Sequence, residues 1–342
     1  MSGGDSLART ASLLGARGAD ATPGDSLQPR IPDFFIVGQP KSGTTALYEM
    51  LGGHPQIFMP AGKEPWYFAD ELLERTPPRP GGTPRTLAEY SNLFAAADPQ
   101  QRVGEASAMY LWSRTAAARI AAAQPDARIV AVLREPASLL RSLHLQFIKT
   151  HVEIETDFRR AMALETARRE GREIPRHTYW PRALQYSEHT RYVEQLRRYK
   201  DLFPPERVLV LIHDDLRRDA EGTVRAVLRF LEVDDTAPVE TVWANPTIQV
   251  RSQRAHEVLH ALTMGGGPLL RTARGAVKML TPAGLRRVAL DAIKRDMVYR
   301  APAAPDEEFM IELRRRFKGE VVALSDYLDR DLVALWGYDH VG

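Results

Sequence analysis

The chain has 342 residues and contains no cysteine. Disulfides, thiolate zinc sites, iron–sulfur clusters and cysteine nucleophiles are therefore excluded as sources of stability or chemistry. Runs of about eighteen apolar residues are also lacking, and charged residues interrupt the N-terminal stretch where a secretory signal would need an apolar core. We expect a cytoplasmic protein that is neither exported nor threaded through a membrane.

An excess of charge of one sign is missing too. The 46 Lys and Arg residues nearly balance the 44 Asp and Glu residues, for a formal net charge of +2. Such a chain does not attract polyanions through its global charge, so we expect no nucleic-acid partner, and any anion site must come from local clusters of cations. Hydrophobic residues make up 44% of the sequence, which is ample for a large core.

Alternating apolar runs and helical patterns predict an α/β fold. Strand-like runs end near Gly38 and cover 127–134 and 207–213, with a weaker run at 102–107, and helical patterns separate them. This alternation predicts a three-layer fold with a parallel sheet between helices. We expect residues 1–30 to be a disordered tail and residues 31–342 to form one domain whose C-terminal portion, 252–342, is helical.

The stretch FFIVGQPKSGTTALYEML, residues 34–51, reads as a strand, a tight loop and a helix, like a phosphate-binding P-loop. Gly38 and Gly43 keep the spacing of a Walker A motif, but Thr44 stands where its lysine belongs and Lys41 lies inside the loop. Backbone N–H groups and the positive end of the helix still favour an oxyanion. A magnesium-bound triphosphate is not the natural ligand, because the Walker lysine is displaced.

The loop string PKSGTTAL resembles the 5′-phosphosulfate loop of sulfotransferases that use 3′-phosphoadenosine 5′-phosphosulfate (PAPS). A second element, VAVLREPASLLRSLHLQ, supplies Arg134 at a strand end and Ser142 eight residues later. It resembles the clamp of these enzymes on the 3′-phosphate, for which the fork of an arginine is well suited. The resemblance implies a donor site that is formed by Lys41, Ser42, Gly43, Thr44, Thr45, Arg134 and Ser142.

The resemblance extends through most of the chain from residue 33 onward and is closest to bacterial sulfotransferases related to the heparan-sulfate and Golgi type. It is weaker to the cytosolic phenol and steroid enzymes. The string NPTIQVRSQRA resembles the loop that closes over the nucleotide. Arg251 in that loop would add to the 3′-phosphate site, or it is simply a solvated loop arginine.

The resemblance also implies the chemistry: PAPS as sulfuryl donor, 3′,5′-ADP (PAP) as product, and no metal. Lys41 would meet the charge that builds on the leaving phosphate. Glu64 in GKEPWYF matches the glutamate base of the heparan-type relatives, although an exposed glutamate or a partner for Lys63 is the alternative. His144 is the second candidate base, because the cytosolic branch uses a histidine.

The chain departs from its relatives after the motif Gly104–Glu105. GEASAMY has Ala106 and Ala108 where relatives often carry lysine and proline. The contribution of that lysine must come from elsewhere, with Lys63 as one candidate, or be dispensed with.

Residues 269–300 carry many basic side chains on helical patterns. Three interpretations stay open for this segment: contact with an anionic membrane surface, binding of an acidic or lipid-linked acceptor, or an amphipathic cover with a solvated basic side. The cations concerned are Arg271, Arg274, Lys278, Arg286, Arg287, Lys294, Arg295 and Arg300.

The sequence therefore predicts sulfuryl transfer to a hydroxyl or amine of a small-molecule, glycan or lipid-linked acceptor. A nucleoside-triphosphate-dependent kinase on the same scaffold is the rival, and a nucleotide-binding scaffold protein is the third candidate. Because one donor must reach both anion grips, we expect Lys41 and Arg134 to lie together at one edge of the sheet.

Overall fold

A computed structural model describes residues 30–73, 83–176, 178–242, 249–250, 299–300 and 302–342. Five parallel strands of this part of the chain form a sheet in the spatial order β2-β3-β1-β4-β5. They are β1 (Phe34–Ile36), β2 (Ile57–Phe58), β3 (Arg102–Ala106), β4 (Arg128–Leu133) and β5 (Val208–Ile212).

Helices follow the strands along the chain and cover the sheet. In chain order among the described residues they are α1 (Thr44–Gly52), α2 (Asp70–Leu73), α3 (Leu87–Asn92), α4 (Ala116–Ala123), α5 (Pro136–Lys149), α6 (Phe158–Ala163), α7 (Glu165–Arg169), α8 (Tyr192–Lys200), α9 (His213–Arg218), α10 (Ala220–Phe230), α11 (Glu307–Leu328) and α12 (Leu332–Leu335). Short 3₁₀ helices span Ala108–Tyr110, Pro181–Leu184, Tyr186–Thr190 and Pro205–Arg207.

Both faces of the sheet are buried, which explains the uninterrupted apolar runs of the strands. In β1, Phe35 packs into one apolar cluster with α4, α5, α8 and α11, whereas Phe34 and Ile36 pack into a second cluster with α1 and α10. The side chains of a strand alternate between its faces, so adjacent residues reach opposite layers. The predicted three-layer α/β fold is confirmed.

The order of the strands places the candidate site. β1 lies between β3 and β4, and the chain leaves β1 to form α1, leaves β4 to form α5 and leaves β5 to form α9. The five strands of this sheet are parallel, so these three junctions lie at its carboxyl edge. The connections lead to opposite faces of the sheet, with α1 in one apolar cluster and α5 in the other, and at such a point parallel sheets commonly bind ligands.

Two boundaries of the sequence interpretation need correction. Arg30, assigned to the disordered tail, donates hydrogen bonds to the carbonyls of Ala97, Asp98 and Gln101 and is thus part of the folded domain. Within the region predicted to be helical, Tyr299–Arg300 form a strand, β7, that pairs antiparallel with β6 (Gln249–Val250). This strand lies between two helical patterns of the region and is formed by pairing with a distant segment.

Residues 1–29 and most of the basic segment 269–300 lie outside the described residues. No helix in the part of the chain that the structure describes combines the length and the apolar character needed to cross a membrane.

Candidate functional site

The loop after β1 continues alongside β4 before it turns into α1. Val37 and Gln39 donate backbone hydrogen bonds of 2.9 Å to the carbonyls of Val130 and Val132. A Cβ atom on Gly38 would lie 2.0 Å from the Val132 backbone nitrogen, so only glycine fits against the strand. The first part of the loop thus extends β1 alongside β4. The loop then leads into α1 at the carboxyl edge of the sheet.

The turn into α1 uses two left-handed residues. Lys41 has a φ of 65° and Gly43 a φ of 92°. A side chain at Gly43 would also meet Leu216 at 2.9 Å and His213 at 3.4 Å. Lys41 pays a conformational cost of about 1 kcal/mol for this backbone, which indicates that the surroundings hold the turn firmly.

Four cations gather around this turn. The pKa of Lys41 is lowered to about 8, mostly by burial and then by the charges of Lys149, Arg134 and Lys63, in that order. The Arg134 guanidinium donates a 2.8 Å hydrogen bond to the Lys41 carbonyl. Mutual repulsion of this kind is relieved by a bound anion, so the cluster has the electrostatics of an oxyanion site.

Lys63 lies over the start of α1. Its Nζ donates hydrogen bonds to the hydroxyls of Thr44 at 3.1 Å and Thr45 at 3.0 Å, and it lies 3.4 Å from Glu64 Oε1. The sequence suggested Lys63 only as a partner of Glu64 or a substitute for the lysine missing at Ala106. The structure instead connects the helix start with the candidate base through one ammonium group.

The segment that carries Glu64 has an unusual backbone. Glu64 and Trp66 both have left-handed φ values, 62° and 55°. The Glu64 N–H donates a 3.0 Å hydrogen bond to the Ala106 carbonyl at the end of β3. Non-glycine residues hold this conformation only where neighbouring groups fix it, and such residues cluster at functional sites.

Arg134 stands at the junction of β4 and α5, as predicted. Tyr192 Oη donates a 2.6 Å hydrogen bond to the Arg134 carbonyl, and the Glu135 carboxylate accepts from the N–H groups of Ala137 and Ser138 at the start of α5. Ser142 is buried on the same helix. It is the seventh residue of α5 and follows Arg134 by eight residues.

His213 joins this edge from β5 and was not among the predicted residues. Burial lowers its pKa to about 4, with a further contribution from the positive charge of Arg134 and a smaller one from Arg217. It is the first residue of α9, directly after an apolar strand. Arg134 was identified from its position at the end of an apolar strand, and the same criterion applied to β5 would have identified His213.

Lys149 was also missed. It is the last residue of α5, seven residues after Ser142. Seven residues turn a helix through about 700°, so the two side chains leave nearly the same face. This phase is the signal in the sequence that could have found Lys149.

His144 takes no part in this cluster. It is buried, with Nε2 at 2.8 Å from the Glu155 carbonyl and its ring against Phe158 and Tyr186. Burial lowers its pKa. Among the described residues, these contacts of His144 involve neither Lys41 nor Glu64. Arg251, the remaining predicted donor residue, lies outside the described residues.

The loop fits a phosphorylated ligand. The Ser42 hydroxyl is fully buried and has no hydrogen-bond partner among the described residues. Buried polar atoms are nearly always satisfied, so an orphan hydroxyl within an anion-binding loop is consistent with an acceptor that a ligand supplies. The clustered cations and the N-terminus of α1 favour the same kind of ligand.

Comparisons with known proteins agree with this geometry. The human heparan sulfate glucosamine 3-O-sulfotransferase 3A1 is 28% identical over 223 residues, which cover 64% of this chain and 50% of that protein. Human carbohydrate sulfotransferase 15 is 30% identical over 157 residues, 35% of this chain and 28% of that protein. The chain therefore matches half or less of the length of these relatives.

A solved structure is similar over a larger share. The sulfotransferase from Alicyclobacillus acidocaldarius is 27% identical, with a TM-score of 0.60 over 89% of this chain and 98% of that one. The family model described as "Sulfotransferase family" matches residues 32–237, which include the phosphate loop, Glu64, Arg134 and His213. The chain belongs to the sulfotransferase family.

Proposed function

We propose that this protein transfers a sulfuryl group from PAPS to a hydroxyl or an amine of an acceptor. The observation that carries the proposal is the contact between Arg134 and the Lys41 carbonyl, which brings two anion-binding elements to one crevice. A ligand with phosphates at both ends of one nucleoside suits such a pair. The charge repulsion among Lys41, Lys63, Lys149 and Arg134 supports it independently.

The donor-binding roles follow from position. Lys41, the hydroxyls of Ser42, Thr44 and Thr45, and the N–H groups at the start of α1 would hold the 5′ end. Arg134 and Ser142 would hold the 3′-phosphate. Bound PAPS supplies the sulfuryl group and a phosphate leaving group.

The transfer roles follow from charge. Lys41, with a pKa of about 8, is mostly protonated at neutral pH and can meet negative charge that develops on the leaving side. Glu64, on the other side of Lys63, would take the proton of the acceptor. Lys63 contacts both the helix start and Glu64, so it keeps the base at a fixed position relative to the donor site.

A glycan is the acceptor class that we favour. The names of the relatives describe carbohydrate and heparan sulfate sulfotransferases. Small-molecule and lipid-linked acceptors remain the alternatives, since acceptor pockets depend on loops that differ within a family.

A kinase is the rival function on this scaffold. It would require a lysine where Thr44 stands, and Thr44 is instead bonded to Lys63. Calorimetry with 3′,5′-ADP and with ATP plus magnesium separates the two. Preference for 3′,5′-ADP without magnesium supports the sulfotransferase, whereas tighter binding of magnesium ATP overturns it.

The reaction itself is tested with labelled PAPS against heparan sulfate, chondroitin and desulfated derivatives of both. Glu64→Gln should lower turnover by about 10²-fold or more with nearly unchanged affinity for 3′,5′-ADP, because it removes a base and leaves the donor site intact. Glu49→Gln, at an exposed position of α1, is the matched control. A fully active Glu64→Gln enzyme would exclude Glu64 as the base.

A further inference from the structure

A carboxyl group is buried inside the core beside the candidate base. Glu105, in β3, has no exposed surface. The mechanism above gives it no task, and an ionisable group in such a place is costly unless its neighbours satisfy it. Its partners therefore indicate why the chain keeps it.

Hydroxyl groups surround this carboxyl. Tyr90 and Tyr110 donate hydrogen bonds to Glu105 Oε2, at 2.8 Å and 3.0 Å, and the Ser107 hydroxyl lies near the same carboxyl. Glu105 Oε1 is buried and has no hydrogen-bond partner among the described residues. The pKa of Glu105 is raised to about 7, mostly by burial and to a smaller extent by the nearby charge of Glu64, while the three hydroxyls act in the opposite direction. Glu105 thus lies close enough to Glu64 for their charges to interact.

Two of these hydroxyls also hold the segment that carries Glu64. The Ser107 hydroxyl accepts a 3.3 Å hydrogen bond from the Trp66 N–H, and Tyr110 Oη accepts a 3.2 Å hydrogen bond from the Phe68 N–H. A hydroxyl has a single proton, and Tyr110 directs its proton at Glu105. Its lone pair is thereby oriented toward the loop amide, and such chains of hydrogen bonds reinforce each other.

We propose that Glu105 is a positioning residue for the transfer reaction, which orients the Tyr110 and Ser107 hydroxyls so that they hold the left-handed turn presenting Glu64. The inference rests on the proposed function of Glu64 as base. It assigns the buried carboxyl a place behind the turn, without contact with the donor or the acceptor.

The two tyrosines provide a matched pair for the test. Both are fully buried and both donate to the same carboxylate oxygen, but only Tyr110 also accepts a loop amide. Tyr90→Phe and Tyr110→Phe each remove one hydroxyl and leave the ring in the core. Both variants lose one hydrogen bond to Glu105, so a difference between their effects reports the connection of Tyr110 to the loop.

Three measurements on the full chain make the test: hydrogen exchange of peptides covering residues 64–68, affinity for 3′,5′-ADP, and turnover as release of 3′,5′-ADP from PAPS with water as acceptor. Tyr110→Phe and Glu105→Ala should speed exchange in 64–68 and lower turnover by about tenfold or more, with affinity within about twofold. Tyr90→Phe should change neither exchange nor turnover by more than about twofold. Glu105→Gln, whose amide oxygen can accept from the tyrosines, should recover part of the turnover lost in Glu105→Ala.

Equal effects of Tyr110→Phe and Tyr90→Phe on both exchange and turnover would overturn the proposal. Should Glu105→Ala fail to fold, the tyrosine pair still decides. Failure of the proposed function is separate. An active Glu64→Gln enzyme would exclude Glu64 as the base, and absence of 3′,5′-ADP release from PAPS with water and with the glycan acceptors alike would remove the reaction. Exchange in 64–68 would still report whether Glu105 holds the turn.

Discussion

The Arg134 guanidinium lies 2.8 Å from the Lys41 carbonyl, across 93 residues of sequence. This bond uses one N–H of a fork that has five, and it places the fork beside the turn of the phosphate loop. A sulfated nucleotide carries phosphate groups at both ends of its sugar, so adjacent grips at one sheet edge suit it. The expectation that Lys41 and Arg134 lie together is confirmed by this contact.

Loss of Arg134 should weaken binding of the 3′-phosphate in particular. We expect Arg134→Ala to raise the Kd for 3′,5′-ADP by about 10- to 100-fold, since hydrogen bonds between charged groups contribute about 1.5 to 3 kcal/mol each. The Kd for 5′-AMP, which lacks the 3′-phosphate, should change little. Both are measured by calorimetry at constant salt.

Arg128 is the matched control for Arg134, because it opens the strand that Arg134 follows. Its guanidinium bonds the Phe230 carbonyl and the Glu232 carboxylate at the opposite edge of the sheet. Arg128→Ala should leave both nucleotide affinities unchanged. An equal loss of 3′,5′-ADP and 5′-AMP binding in Arg134→Ala would show that Arg134 supports the loop and does not read the 3′-phosphate.

Donor binding should take up a proton at alkaline pH. Lys41 has a lowered pKa of about 8 in the free protein, so most of it is neutral at pH 9. A bound phosphate favours the charged form and raises the pKa of Lys41, so binding of 3′,5′-ADP at pH 9 should take up on the order of 0.5 to 1 proton. Calorimetry in buffers of different ionisation enthalpy measures this number.

Lys41→Arg keeps the charge but stays protonated at pH 9, so the uptake should vanish in this variant. At pH 7 the wild-type uptake should be much smaller than at pH 9, because Lys41 is already mostly protonated in the free protein. Uptake that persists in Lys41→Arg would assign the proton to another group, with Lys63 and Lys149 as the next candidates.

Much of this site follows from local patterns in the sequence. Apolar runs locate the ends of β1 and β4, and the residues just beyond them, Lys41 and Arg134, reach the same edge because the strands are parallel. Glycine spacing predicts the turn at Gly43. These inferences need only the neighbours of each residue along the chain and the topology of a parallel sheet.

Other features depend on which distant segments pack together, and the sequence does not reveal that. The bond of Lys63 to Thr44 joins a loop residue to the first residue of α1, and the tyrosine hydroxyls that bond Glu105 come from α3 and a 3₁₀ helix. Strand β7 exists because residues near 249 lie beside it. Pairing of this kind cannot be read from the local pattern of either segment alone.

Lys63 should matter for turnover through two contacts at once. Lys63→Met keeps the apolar stem but removes the ammonium that bonds the Thr44 and Thr45 hydroxyls and approaches Glu64. We expect turnover of PAPS to fall by about tenfold or more, because both the helix start and the base lose a fixed partner. Single-turnover kinetics separate this loss from weaker donor binding.

Lys200→Met is the control for Lys63. Lys200 is the last residue of α8, and its ammonium lies over the Tyr327 ring. This variant should turn over PAPS like the wild type. Unchanged turnover in Lys63→Met would limit Lys63 to a structural contact with the start of α1, without a part in positioning the base.

The C-terminal segment should support the donor site from behind. Tyr338 Oη donates a 2.6 Å hydrogen bond to Glu135 Oε1, and Glu135 caps α5 directly after Arg134. Trp336 Nε1 likewise donates to Asp214, next to His213. Tyr338→Phe should lower the free energy of unfolding by about 1 to 2 kcal/mol, because a buried carboxylate loses a donor, and should weaken 3′,5′-ADP binding a few-fold through the α5 start. Urea unfolding and calorimetry measure the two effects.

Tyr327→Phe is the control, since its ring keeps the contacts with Arg197 and Lys200 without the hydroxyl. A Tyr338→Phe protein that unfolds earlier but binds 3′,5′-ADP like the wild type would limit the C-terminal segment to stability alone.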